Sequence, residues 1–244
     1  YVSYMSAPRS SYFTTASYIS GSLFEFRHQI TQHFNLEKNN KSLQEENIAL
    51  RKSSSVFLYN KLRTEAHVED SIYAQQYDYI PGTILNATTT KRNNFFTLNI
   101  GEIHGVKKGM GVFSSNGVVG IIHNTSKHFS VIKSVLTSNI NIDVLISEVG
   151  VSGMLKWDGV NDNIGSISGV SNDITVPKGS TVVTRGGSGI FPRGIPVGHI
   201  KHTKTVEGEA SWHIDLSFSQ KYAALENVYV VKNLFLEEFT QIQN

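Results

Sequence analysis

The chain has no cysteine among its 244 residues. That excludes a disulfide framework, a thiolate zinc site and a thiol nucleophile, and it fits an oxidising compartment met by avoiding thiols. No run of about 18 apolar residues occurs, so no printed stretch reads as a membrane-spanning helix. Neither sign of charge dominates: 22 Lys and Arg face 20 Asp and Glu, a formal net charge of +2 with His neutral. No polybasic field is on offer for nucleic acid or an anionic membrane. Between Gly21 and Pro81 there is neither Gly nor Pro, whereas 19 of the 20 Gly lie beyond Pro81. The first third can therefore hold one uninterrupted element, while the rest must turn repeatedly.

The Gly-free stretch has helical spacing. Ile19, Leu23, Phe26 and Ile30 step by four, three and four, the seam of an amphipathic helix. Leu36, Leu43, Leu50 and Phe57 then recur every seven residues, with Asn40, Asn47 and Ser54 in the alternate core slot. Leu at one core position and Asn at the other suits a parallel two-stranded coiled coil, because a buried amide finds its partner in the facing amide. The two seams differ in phase by one residue, which predicts a break near His33 to Leu36. Residues 25–69 mix seven Lys and Arg with six Glu, as on a solvated helix. Such a rod would reach about 70 to 90 Å. The alternative is a long helix packed on its own domain; the favoured reading is a dimerising stalk.

From Tyr79 onward, short β-branched or aromatic runs alternate with Gly, Asn, Asp and Ser. Strands are predicted at Ile80–Ala87, Asn94–Asn99, Gly117–His123, Ser130–Leu136, Asn141–Ile146, Ser152–Trp157, Gly165–Val170, Ser180–Thr184, Pro196–Thr205, Trp212–Phe218 and Val228–Lys232, with a short turn at 220–225. Eleven or twelve strands without helical spacing between them give a mainly β fold, a stalk followed by two small six-stranded β-barrels. Val106-Lys-Lys-Gly-Met110 resembles Val176-Pro-Lys-Gly-Ser180, each a tight turn with Gly free to take positive φ. If these bracket an inserted unit, residues 71–112 and 176–236 form the first barrel and 113–175 the second, behind a linker at 1–20 and a coiled-coil helix at 21–70. Tandem order is the competing arrangement.

Two β-barrels invite comparison with trypsin-like proteases. Ser188, in Gly186-Gly-Ser-Gly189, follows His104 or His123 and Asp143 or Asp158 in the right order. None of these sits in a local catalytic motif, and Ser188 suits a turn for conformation alone. His199-x-x-His202 on a regular strand would face opposite ways, and no metal, EF-hand or phosphate-loop motif occurs. No catalytic residue, cofactor or metal is therefore expected. Asn86-Ala-Thr88 and Asn124-Thr-Ser126 are glycosylation sequons, which matter only in a eukaryotic secretory setting. The most distinctive string is Gly189-Ile-Phe-Pro-Arg-Gly-Ile-Pro-Val-Gly198. There Pro192 and Pro196 lock φ while Gly189, Gly194 and Gly198 leave it free. With Ile190, Phe191, Ile195 and Val197 apolar, that loop reads equally as a docking surface or a plug for its own barrel.

Several strings together resemble the MreC family of bacterial rod-shape-determining proteins. They are Asn93-Asn-Phe-Phe-Thr-Leu-Asn-Ile-Gly101, Gly105-Val-Lys-Lys-Gly-Met-Gly-Val112, Gly117-Val-Val-Gly-Ile-Ile122, and Val182-Val-Thr184 running into the 189–198 loop. The chain departs from the family at Arg185-Gly-Gly-Ser188, where Ser-Gly-Leu-Gly is common. The resemblance implies a non-enzymatic scaffold of the cell-wall elongation machinery, lacking cofactors. It implies a single-pass anchor upstream of residue 1, which the absent initiator Met would fit, and a place on the periplasmic face of the inner membrane. It also implies a homodimer able to form filaments, with MreD, the MreB system, RodA and an elongation-class penicillin-binding protein as partners. The rival class is a periplasmic adaptor of an efflux or secretion pump, which also joins coiled coil to β-structure. Adaptors use an antiparallel helical hairpin flanked by β-structure, and no hairpin turn is legible here.

Overall fold

The structure, a computed structural model, describes residues 41–51, 76–205, 208, 210–236 and 241. Residues 41–51 are helical and belong to a unit, 1–51, separate from the one that holds the strands, 52–244. The predicted linker at 1–20, the break near 33–36, and the seam residues Leu36, Asn40 and Phe57 lie outside the described residues.

Twelve strands follow: β1 (Tyr77–Ala87), β2 (Asn93–Leu98), β3 (Gly111–Phe113), β4 (Val118–Thr125), β5 (Ser130–Thr137), β6 (Ile142–Ile146), β7 (Val151–Lys156), β8 (Ile164–Ser168), β9 (Thr181–Thr184), β10 (Pro196–Thr205), β11 (Trp212–Phe218) and β12 (Asn227–Asn233). They close into two six-stranded barrels, β1-β12-β3-β4-β5-β2 and β10-β11-β8-β7-β6-β9. Each of the eleven predicted strands is present. The unpredicted one, β3, has three residues between two turns, too few to show a period of two. Alternation fills the interiors: Phe96, Leu98, Ile122 and Ile132 point into the first barrel, and Leu155, Ile167, Ile214 and Leu216 into the second, all buried. Burying each stabilises by about 1.5 to 3 kcal/mol relative to exposure.

The boundaries predicted for the barrels require correction. The second barrel runs from β6 to β11 and lies between β5 and β12 of the first, so strands at 118–137 belong to the first barrel and those at 181–218 to the second. The two Lys-Gly turns do not bracket one unit; each introduces the equivalent strand of its own barrel. Gly109 and Gly179 both have positive φ, 89° and 85°. Gly109 N–H donates to Ile122 O and Gly179 N–H to Ile200 O, at 2.9 and 2.8 Å. The strand neighbours superpose in the same sense, with β7 to β11 taking the places of β1 to β5 and β6 that of β12. One connectivity is thus used twice, with its sixth strand arriving last in one barrel and first in the other.

The junction loop and the candidate interaction surfaces

The 189–198 string spans the end of the β9–β10 loop and the start of β10. Its positive-φ glycines, Gly189 at 70° and Gly194 at 96°, let the chain reverse where a Cβ would be strained. Thr184, buried at the end of β9, ties the loop down. Its Oγ1 donates to Pro192 O at 2.6 Å and accepts from the Ile195 N–H at 3.0 Å, while the Gly194 N–H donates to Thr184 O at 3.0 Å. One bond donated and one accepted use the hydroxyl's proton and one of its two lone pairs.

The far side of this loop meets the first barrel. Phe191 is 3% exposed. A Cβ on Gly111 of β3 would lie 2.5 Å from Phe191 Cε1 and 2.6 Å from Ile190 O. Gly is required there because another segment presses on its backbone. Asn233, at the end of β12, donates through Nδ2 to Gly189 O at 3.0 Å. A Cβ on Gly117 would lie 2.7 Å from Pro196 O. The loop is therefore neither a free docking surface nor only a plug of its own barrel; its apolar side is spent on the joint.

The return crossing reinforces that joint. Gln220, in the segment between β11 and β12, accepts through Oε1 from the hydroxyl of Ser114, which directly follows β3; both groups are buried. Tyr222 donates its phenol to Val118 O at 3.1 Å and stacks edge-on with Phe218, centroids 5.5 Å apart. Burial pushes the Tyr222 phenol up far above its ordinary value. At Tyr77, burial and the neighbouring Tyr79 push the phenol up to about 12. Above pH 10 an unfolded Tyr ionises while these stay neutral, so the folded state holds more protons and stability falls as pH rises. The urea midpoint is expected to drop between pH 9 and 11.5, and a Tyr77→Phe/Tyr222→Phe variant to show a flatter profile. Equal slopes for the two proteins would contradict this.

The residues considered for catalysis are not assembled. Ser188 Oγ accepts from the Ile190 N–H at 3.4 Å, and His104 Nδ1 accepts from the Gly101 N–H at 3.1 Å. His123 stacks on Phe95 with ring centroids 5.6 Å apart. Asp143 pairs with Arg185 at 3.5 Å, and Asp158 accepts from the Val160 N–H at 2.9 Å. Among the described residues no group of three or more His, Asp or Glu could hold a metal ion, and no helix is long and apolar enough to cross a membrane. On the helix at 41–51, Leu43 is 54% and Leu50 60% exposed. Asn47 lies exposed on the same face and donates Nδ2 to Leu43 O at 2.8 Å.

The family model described as "Rod shape-determining protein MreC, barrel core" matches residues 84–232, from within β1 to within β12, and so takes in both barrels. This chain belongs to the MreC family. The cell shape-determining protein MreC of Listeria monocytogenes is 24% identical over 147 residues, 59% of this chain and 49% of that protein. The chain spans roughly 38% to 57% of the length of the curated MreC relatives it matches. A solved MreC structure from Listeria monocytogenes has a TM-score of 0.63 at 21% identity, covering 83% of this chain and 95% of that one. The solved complex between penicillin-binding protein PBP2 and MreC from Helicobacter pylori includes a chain matched with a TM-score of 0.53 at 17% identity, covering 65% of this chain and 99% of that one. At these identities the solved structures establish the shared MreC fold.

The junction residues Gly111, Ser114, Gly117, Gln220, Tyr222 and Asn233 carried no signal of their role in the sequence. Each matters through a segment many residues away, and only the closed topology brings the pairs together.

Proposed function

We propose that this chain acts as a membrane-anchored, non-enzymatic scaffold on the extracytoplasmic side of the bacterial inner membrane, organising peptidoglycan synthases during elongation and so setting cell shape. The observation carrying this reading is membership of the MreC family across both barrels. The exposed Leu43, Asn47 and Leu50 on one helical face support a parallel homodimer along the stalk, with Leu36, Asn40 and Phe57 extending the seam. The partner best supported is an elongation-class penicillin-binding protein, since the Helicobacter pylori MreC was solved with PBP2. MreD, the MreB system, RodA and filament contacts belong to the same reading.

Two measurements on the full chain test it. The wild type is expected to run as a dimer and to retain the organism's elongation penicillin-binding protein from detergent-solubilised membranes. A Leu43→Asp/Leu50→Asp variant puts four carboxylates into one apolar seam, at a cost of several kcal/mol, and is expected to run at half the mass with intact barrels. An unchanged mass would remove the stalk from the dimer, and no retention of the transpeptidase would end the scaffold reading.

A further inference from the structure

The outer face of the β10–β11 hairpin concentrates charge unlike any regular alternation would. The ladder slips between Ile200 and His202, a bulge that re-phases the strand. His199 and His202 are consequently both exposed on the outer face, contrary to the opposite-faces expectation, while Ile200 points inward. Lys201 is exposed at the bulge itself. Across the ladder, Lys204 stands opposite His213 and His202 opposite Asp215. Asp215 contacts Lys204 Nζ at 3.8 Å and His213 Nε2 at 3.4 Å.

We infer that this face binds an acidic segment of a partner protein, more tightly as pH falls through the range in which imidazole gains its proton. Among the described residues, Lys201 and Lys204 balance Asp215 and the Glu148 carboxylate beside His199, and a proton on each of His199, His202 and His213 raises the stripe from 0 to +3 (2 − 2 + 3). Imidazole changes charge between pH 5 and 8. The neighbours facing these groups do not cancel the gain. On the β9 side, Glu148 accepts from the Thr181 N–H at 2.8 Å through both carboxylate oxygens, and lies close enough to His199 to feel its charge. On the β8 side, Asp215 stands opposite the uncharged Ser166, and Ser166 opposite Lys156 of β7. Among the described residues Asp215 is the acid on the two strands of the stripe, and it is already held by Lys204 and His213.

A protein segment fits better than a lipid surface. Membrane docking by charge takes clusters of four to eight Lys or Arg, commonly with apolar side chains to insert. This stripe has two Lys and no exposed large apolar residue within it. Both barrels are closed, so no sheet edge invites strand addition; recognition must run through side chains. The inference stands without the stalk and without the scaffold reading.

The test uses the full chain and a fluorescein-labelled deca-glutamate peptide, followed by anisotropy at pH 6.0 and 7.5. Binding is expected to be about tenfold tighter at pH 6.0, from the positive charge that exposed imidazoles gain as pH falls. A His199→Gln/His202→Gln/His213→Gln variant should bind equally at both pH values. A Lys107→Gln/Lys108→Gln variant, altered in the first barrel, should keep the wild-type pH dependence. Equal wild-type affinity at the two pH values would overturn the inference. So would loss of pH dependence in the Lys107/Lys108 variant. Vesicles of phosphatidylglycerol that pellet the wild type at pH 6.0, but not the triple His variant, would make the surface a lipid site and overturn the protein assignment.

Discussion

Replacing Gly198 with Ala is expected to part β10 from β11 and cost about 3 kcal/mol or more. The added Cβ would lie 2.1 Å from Ser217 O and 2.5 Å from Leu216 Cδ1. Overpacking usually costs about 1 to 3 kcal/mol because side chains yield; here the nearest obstacle is a backbone carbonyl held in a ladder. Gly120 occupies the corresponding place in the first barrel, where a Cβ would lie 2.2 Å from Lys133 O. Gly120→Ala should therefore weaken the first barrel as Gly198→Ala weakens the second. Against a typical total of about 5 to 15 kcal/mol, either loss is large. Urea unfolding checks both, with His199→Ala as an exposed control expected within about 0.5 kcal/mol of wild type. A Gly198→Ala midpoint matching that control would mean the strands do not approach this closely.

That pair of glycines shows how much of the fold is legible and where legibility stops. Strands could be read because β-branched runs broken by Gly follow local rules, and β10 and β11 begin and end where those rules place them. The repeated Lys-Gly turn is also local. Its meaning is not: Val119-Gly-Ile-Ile122 and Val197-Gly-His-Ile200 fall in equivalent strands, so the repeat marks corresponding places in two barrels rather than the limits of one. The 113–175 boundary failed on that point. The bulge at Lys201 escaped for a similar reason. A one-residue slip leaves no composition signal, yet it brings His199 and His202 to one face. Nothing in the string around Phe191 says which barrel it covers, because Gly111 lies 80 residues earlier (191 − 111) and its only mark is the lack of a side chain. The family strings fared better, since they carry the whole arrangement at once.

Phe191→Ala is the variant that tests the joint itself. The ring is 3% exposed and sits on Gly111 of the opposite barrel, so its loss removes buried area and leaves a hole between two rigid walls. Phe-to-Ala truncations in packed sites cost about 3 to 5 kcal/mol. Thr184 still holds the loop to its own barrel through Pro192 and Ile195, so the second barrel should keep its interior. What fails is coupling: the loop can lift from β3, held on that side by the Gly117–Pro196 contact and the Asn233 bond to Gly189, and one neutral hydrogen bond contributes about 1 kcal/mol. Urea unfolding of the variant should then resolve into two transitions where the wild type shows one, with protease cleavage newly admitted at 185–195. Arg193→Ala, exposed in the same loop, should leave the single transition in place. One cooperative transition at the wild-type midpoint for Phe191→Ala would mean that the Phe191 ring does not couple the barrels, which are then held by the 219–226 crossing through Gln220 and Tyr222 and by the Asn233 and Gly117 contacts to Gly189 and Pro196.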